Sequence, residues 1–475
     1  MSLPEPVARP RRWNLAAGVP IVGGAYWLLA HGGAWLFWGA VPGTVMLATG
    51  VAMLLWPGDR RINQYLALAA VLGVLVALPA AFSGGLVSAI AAGLLSAASF
   101  LVAGAETHRG MDVPEGVPRV DGDVAVWDKV GVDEALMGYF IASAEVPSDR
   151  KADTVCAELL EARELIVARG WYRKPEKLHA EPEAPSHVRV ERHSIYGFEY
   201  ESLRFASAYA LDRSIPGAER WAAYHENDQC AAWVMRHNAD RPWLMCIHGY
   251  RMGNPWLDFR LFDPRWLHQR LGFNLICPIL PLHGPRKHGW RSGDEYLDGD
   301  FMDVFHAEVQ ALWDLRRTLA WLRMQEKNPR VGVMGFSLGG YNAALLAQYA
   351  EDLDFVIAGI PATDLSASLL ANIPDLHRRY YESLGADETA FREVLHPVSP
   401  LARKPLVDAE HRHVFGGALD RIITPGEIPK LAEHWETEPV WYPGGHLSFR
   451  GEPAVSGLVR GAAERAGWQL PKREG

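Results

Sequence analysis

The sequence predicts an α/β protein, a mostly parallel sheet flanked by helices, preceded by about four transmembrane helices. Three observations predict it. Two long stretches near the N-terminus, Trp13–Trp56 and Gln64–Ala105, contain no Asp, Glu, Lys or Arg. Beyond about residue 196, apolar runs of strand length alternate with runs of helical period. Within that alternation stands Val331–Gly340, VGVMGFSLGG, an apolar strand that breaks at a serine between glycines and continues as a helix.

Each uncharged stretch is about twice the ~20 residues that cross a bilayer as a helix. Each has a polar, glycine-containing break near its middle, His31-Gly32-Gly33 and Ser83-Gly84-Gly85. Two helical hairpins over 13–105 follow, behind a cytoplasmic tail at 1–12. A cleaved signal has a single apolar core of ~7–15 residues and does not fit. Arg9, Arg11 and Arg12 precede the first span, Arg60 and Arg61 separate the second from the third, and His108 and Arg109 follow the fourth. The other two turns have no Lys or Arg. The positive-inside rule therefore puts both ends of the region in the cytoplasm. A bacterial inner (plasma) membrane, with the rest of the chain cytoplasmic, is the expected location.

The whole chain carries −9 and residues 106–475 carry −12. An acidic soluble part argues against nucleic acid as a partner and gives no support for attraction to anionic headgroups. Cys156, Cys230, Cys246 and Cys277 match no zinc spacing; the last three fall in strand-like apolar runs and read as small buried hydrophobes. Reduced thiols agree with a cytoplasmic location. No metal or cofactor is expected.

Residues 106–195 read as a juxtamembrane connector with one helix, near 149–169. There Val155, Leu159, Ala162 and Ile166 recur at helical spacing and Gly170 is the stop. Lys174–His187, rich in Pro, Glu and Lys, reads as a linker. In the domain from 196 to 475, strands are expected near 198–208, 229–236, 242–248, 273–280, 331–335, 354–361, 412–417 and 439–442. The clearest helix is 304–323, with Phe305, Val309, Leu312, Leu319 and Leu322 on one face. Residues 365–400 form an insertion with Leu369, Leu370, Ile373, Leu376, Tyr380 and Tyr381, expected to be a helical lid.

The chemistry centres on Ser337. A serine at a strand-to-helix turn is forced into a strained backbone that lifts its hydroxyl toward a cleft, and Gly335 and Gly339 remove side chains that would collide there. A nucleophilic serine needs a base, and the base an orienting acid, in the order serine, acid, histidine on this architecture. Asp420 follows the strand Arg412–Gly417, and His446 follows the strand and turn Val440–Gly445. Asp364 is the runner-up acid. The oxyanion hole needs two N–H donors. One is the backbone of Leu338, immediately after the serine; the other is Tyr250, in the turn after 242–248, with Arg251 as the alternative.

Taken in order, His248-Gly249, Gly-Phe-Ser-Leu-Gly-Gly at 335–340, Gly-x-x-Asp at 417–420 and Gly-Gly-His at 444–446 carry a resemblance. The stretch from roughly 196 to 470 resembles the α/β-hydrolase superfamily. The resemblance implies a serine hydrolase, commonly an esterase, lipase, thioesterase or peptidase, and does not fix the substrate. The first 195 residues lie outside it.

Two further groups stand near the site in sequence. Leu282–Gly289 has loop composition, and its two histidines lack an acidic neighbour for a metal. It is expected to shape the cleft entrance, with Arg286 available to an anionic substrate group. Trp256, Phe259, Phe262 and Trp266 either line an acyl pocket or pack the next helix on the sheet.

The expectation is a membrane-anchored serine hydrolase acting on small-molecule or lipid-derived esters through Ser337, His446 and Asp420. A thioesterase, acyltransferase or peptidase would use the same triad. A silent hydrolase-fold scaffold on a membrane sensor or binding module is the reading from a different class.

Overall fold

The computed structural model describes residues 14–144, 148–297, 299–371 and 373–471. The expected tail at 1–12 lies outside the described residues. The chain divides into two compact units. One holds the described residues up to Ala144 together with Gly417–Ile422 and Pro443–Phe449, and the other holds the rest.

The first unit is helical: α1 (Gly18–Leu29), α2 (Ala34–Leu55), α3 (Arg60–Gly84), α4 (Leu86–Arg109) and α5 (Val124–Ser143). Among the described residues, three helices are long and apolar enough to cross a membrane: α2, α3 and α4, of 22, 25 and 24 residues. This corrects the expectation of four. The first apolar helix runs only from Leu15 to Leu29, about 22 Å at 1.5 Å per residue, against a hydrocarbon core of ~30 Å. Two pairs of buried polar side chains join the helices. Trp27 Nε1 donates to Ser96 Oγ at 3.0 Å and Asn63 Nδ2 to Thr107 Oγ1 at 3.1 Å, since an unmet donor in an apolar interior costs more than the bond returns.

Helix α5 packs against α3 and α4. The stretch expected to be a connector with one helix thus holds two, α5 and α6 (Asp149–Arg169). Asp123 caps α5, its side chain accepting from Val126 N–H at 2.8 Å. Its apolar stripe is hard to see in sequence because Asp128 and Lys129 interrupt it and buried Asp133 and Glu134 sit within it.

The second unit is built on nine strands: β1 (Arg189–Ile195), β2 (Phe198–Ala206), β3 (Gln229–Met235), β4 (Trp243–Ile247), β5 (Asn274–Pro278), β6 (Val331–Phe336), β7 (Phe355–Gly359), β8 (Arg412–Gly417) and β9 (Val440–Tyr442). Their order is β1-β2-β3-β5-β4-β6-β7-β8-β9. The first three are antiparallel to their neighbours, and β5, β4, β6, β7 and β8 run parallel. Strands β4 to β7 are buried at every position, which is why they read as unbroken apolar runs. Strand β1 lies ahead of the expected start at 196; its Arg189, Glu191, Arg192 and His193 give it no strand-like apolar pattern, and pairing with β2 forms it. The sheet is thus mixed and mostly parallel, with helices flanking it, as the sequence predicts.

The insertion expected at 365–400 is helical, as Leu365–Leu370, Asp375–Ser383 and Glu388–Leu395. It packs on α6, where Arg163 pairs with Glu393 and Tyr380 Oη donates to Asp153.

Candidate active site

Ser337 ends β6 and opens the helix Leu338–Leu346 with φ 58° and ψ −121°. A non-glycine residue in this region costs ~1–3 kcal/mol and persists only where its surroundings hold it. Here its N–H donates to the Gly359 carbonyl and its carbonyl accepts from Tyr341 N–H, each at 3.0 Å. The glycines follow from contact. A Cβ on Gly335 would overlap the Gly339 carbonyl, and one on Gly339 would overlap the carbonyl of Ile247 in β4. Leu338 is the first residue of its helix, so its N–H has no partner within that helix.

The turn after β4 carries His248, Gly249 and Tyr250. A Cβ built on Gly249 would stand 3.7 Å from the Ser337 Cβ, so this turn lies against the serine. His248 fixes it from inside. Its Nδ1–H donates to the Gly249 carbonyl at 2.8 Å, and its Nε2 accepts from Leu280 N–H at 3.1 Å. Burial holds the ring neutral, with a pKa near 4. Arg251, at φ +62°, reaches Asp294 at 3.1 Å.

The first unit carries the other two expected residues. Asp420 stands just past β8, and His446 in the turn beyond β9. His446 Nδ1 donates to Asp420 Oδ2 at 2.6 Å, and Ile422 N–H donates to the other Asp420 oxygen at 2.9 Å. Both side chains are almost fully buried. Burial disfavours the imidazolium, but the Asp420 carboxylate, through charge and hydrogen bond, and then Asp133 outweigh it and raise the His446 pKa. With Nδ1 donating, the neutral ring carries its lone pair on Nε2, the state a general base requires.

Other expectations resolve differently. Asp364, the runner-up acid, caps the helix Leu365–Leu370 by accepting from Ala367 N–H at 3.0 Å. Arg286 does not meet solvent: it is 1% exposed, 2.6 Å from Asp314, and donates to the Ile279 carbonyl at 2.7 Å. It ties its loop to the helix Phe301–Gln325 instead of facing a substrate. Phe259 and Phe262 are buried, Phe262 stacking on Phe336 at 5.1 Å, whereas Trp256 is exposed.

One residue absent from the sequence reading is Asp133 of α5. Its Oδ2 accepts from His446 N–H at 2.6 Å and from Arg421 N–H at 3.1 Å, and the side chain is 1% exposed. The available signal was positional. Val126, Val130 and Asp133 fall at i, i+4 and i+7, so an aspartate occupies a core-facing site of an amphipathic helix.

The second unit thus holds a strained serine with a turn of backbone N–H groups beside it, and the first unit holds a buried acid–imidazole pair. No family model matches the chain. Acetyl xylan esterases of known structure are similar in fold. The enzyme from a Paenibacillus species is 13% identical with a TM-score of 0.44, covering 62% of this chain and 93% of that one. The enzyme from a Thermoanaerobacterium species is 15% identical with a TM-score of 0.40, covering 62% and 92%. In sequence, uncharacterized protein MT2702 of Mycobacterium tuberculosis (strain CDC 1551 / Oshkosh) is 34% identical over 359 residues, covering 74% of this chain and 86% of its own. Uncharacterized protein Rv2627c of the same species (strain ATCC 25618 / H37Rv) is 33% identical over the same length and coverage. At that identity over most of both lengths, the chain belongs to the family of these two mycobacterial proteins.

Proposed function

We propose that the chain is a membrane-anchored serine hydrolase that cleaves carboxylic esters through an acyl-Ser337 intermediate. The observation that carries the reading is the buried 2.6 Å bond between His446 and Asp420. In a fold that opens a helix with a strained serine, such a pair is the expected base. His446 Nε2 removes the Ser337 Oγ proton as Oγ bonds to the ester carbon. The carbonyl oxygen takes the negative charge and is held by Leu338 N–H and Tyr250 N–H. The C–O bond to the alcohol then breaks, and His446 returns the proton to the leaving oxygen. Water, deprotonated by His446, attacks the acyl-Ser337 carbonyl; the acyl–Oγ bond breaks, His446 returns the proton to Ser337 Oγ, and the acid is released.

Helices α2 to α4 anchor the enzyme. Arg60, Arg61 and Arg109 put the α2–α3 turn and the end of α4 on the cytoplasmic side. A site close to the bilayer favours acyl esters derived from lipid.

The test is labelling of the purified protein with a fluorophosphonate, beside Ser337→Ala and His446→Ala. Native protein is expected to label and both variants to lose labelling. A well-folded native protein that takes up no probe overturns the reading.

A further inference from the structure

We propose that Asp133 of α5 is a positioning residue for the acid–base pair, holding His446 and the Asp420 turn in register through one carboxylate oxygen. The inference rests on the serine-hydrolase reading above.

Two short segments carry the pair, Gly417–Ile422 and Pro443–Phe449, and both belong to the helical unit. They are joined by Leu419 N–H donating to the Gly444 carbonyl at 3.0 Å. Helix α5 backs both. Val126 and Val130 pack with Leu419, the neighbour of Asp420, and Lys129 Nζ donates to the Pro443 carbonyl at 3.0 Å. One step further along the Val126–Val130 stripe, Asp133 Oδ2 takes the backbone N–H of His446 itself and that of Arg421, next to Asp420. The same oxygen therefore spans the two segments at the residues that matter for proton transfer.

The surroundings fit that oxygen closely. A Cβ on Gly445 would stand 2.5 Å from Asp133 Oδ2, so the turn before His446 is closed to any side chain. Glu134, fully buried, reaches Arg421 Nε at 2.8 Å and Arg60 Nε at 3.4 Å. Consecutive residues of α5 thus hold Arg421 by backbone and by side chain. Helix α5 is itself fixed on the spanning helices, where its Gly138 lies against the Gln64 carbonyl of α3.

A purely structural carboxylate is the competing account. It fits poorly with the cost. Burial and the nearby Asp420 charge push the Asp133 pKa up to about 7, against the pull of His446 and the two N–H groups. Asp133 Oδ1 has no hydrogen-bond partner among the described residues. An amide would accept the same two N–H bonds without a buried charge. What the charge adds is negative potential beside the imidazole, which favours the imidazolium formed when His446 takes a proton. The titratable and charged groups around it are Asp420, His446, Glu134, Arg421, Arg60 and Lys129. The first two form the pair, and Arg421 and Arg60 are engaged by Glu134. No proton passes to Asp133 in this scheme.

The experiment uses the full chain in detergent, with p-nitrophenyl butyrate hydrolysis and the rate of fluorophosphonate labelling measured from pH 5 to 9. Asp133→Ala is expected to lower kcat about 100-fold with KM within about twofold, the signature of an interaction needed in the transition state. Asp133→Asn keeps an acceptor and is expected to recover kcat to within about tenfold of native. Its acid limb is expected to shift down, because above about pH 7 the native Asp133 is ionised and favours the imidazolium, whereas the amide does not. If Asp133→Ala fails to fold, the acid limb of Asp133→Asn decides alone. A folded Asp133→Asn protein with the native acid limb overturns the proposal, whether or not Asp133→Ala is impaired. Ser337→Ala runs alongside: if it keeps native hydrolysis, the serine-hydrolase reading falls, and this inference with it.

Discussion

At the scale of single residues, the site divides by how far each partner lies from its own segment. Ser337 could be read from its neighbours, because the glycines that relieve its turn stand two residues either side of it. Asp420 and His446 followed from the order of strands and turns, and the structure joins them at 2.6 Å. Asp133 could not be read, since its partners are backbone N–H groups 288 and 313 residues away, which leave no mark on residue types. Arg286 misled for the opposite reason. Its loop looks exposed, but its carboxylate partner, Asp314, sits on a helix 28 residues on. The two aspartates weighed as the acid separate by mutation. Asp420→Asn leaves the volume but loses the tautomer control of His446, and kcat is expected to fall by about 10³–10⁴-fold. Asp364→Ala removes a helix cap, so about 1 kcal/mol of stability is expected to go with kcat within threefold of native. Ester hydrolysis and denaturant unfolding on both variants check this. An activity loss confined to Asp364→Ala would exchange their roles.

At the scale of elements, the buried strands and the long helix Phe301–Gln325 were visible because their periods are uninterrupted. Helix α5 and strand β1 were not, because each owes its place to what it packs against. In β1 the side chains are largely exposed and the ladder to β2 supplies the order. In α5, Asp133 and Glu134 occupy positions where an apolar residue would have completed the stripe. That choice has a consequence for stability. The folded-state pKa of Asp133, about 7, lies above the ~3.9 of an unfolded aspartate. Its contribution is therefore fully present below about pH 4 and is lost as pH rises through about 7. Asp133→Asn lacks this dependence. Its thermal midpoint, followed by tryptophan fluorescence, is expected to gain on the native protein between pH 4 and 7 and to run parallel above about pH 8. A gap that stays constant from pH 4 to 7 would mean that folding does not raise the Asp133 pKa.

At the scale of the whole molecule, the helical unit combines an apolar surface with the buried His446–Asp420 pair. Its outer surface is apolar: Phe37, Leu78, Phe82 and Val87 are all more than 70% exposed, which in water would be a large unburied patch. Lipid is the solvent that suits it. The same unit holds the His446–Asp420 pair and Asp133. On the proposed function, the direction in which α2 to α4 cross would decide where hydrolysis occurs. All four native cysteines are buried, so single introduced cysteines read orientation with little background. Gly32 and Pro57 are exposed, and they stand at opposite ends of α2. A membrane-impermeant maleimide is expected to label Gly32→Cys in intact cells and Pro57→Cys only in inverted vesicles. That pattern leaves α4 ending in the cytoplasm, with Ser337 and His446 following it there. The reverse pattern would carry the serine and its base to the outer face, against the arginines that flank α3, and would direct the substrate search to esters outside the cytoplasm.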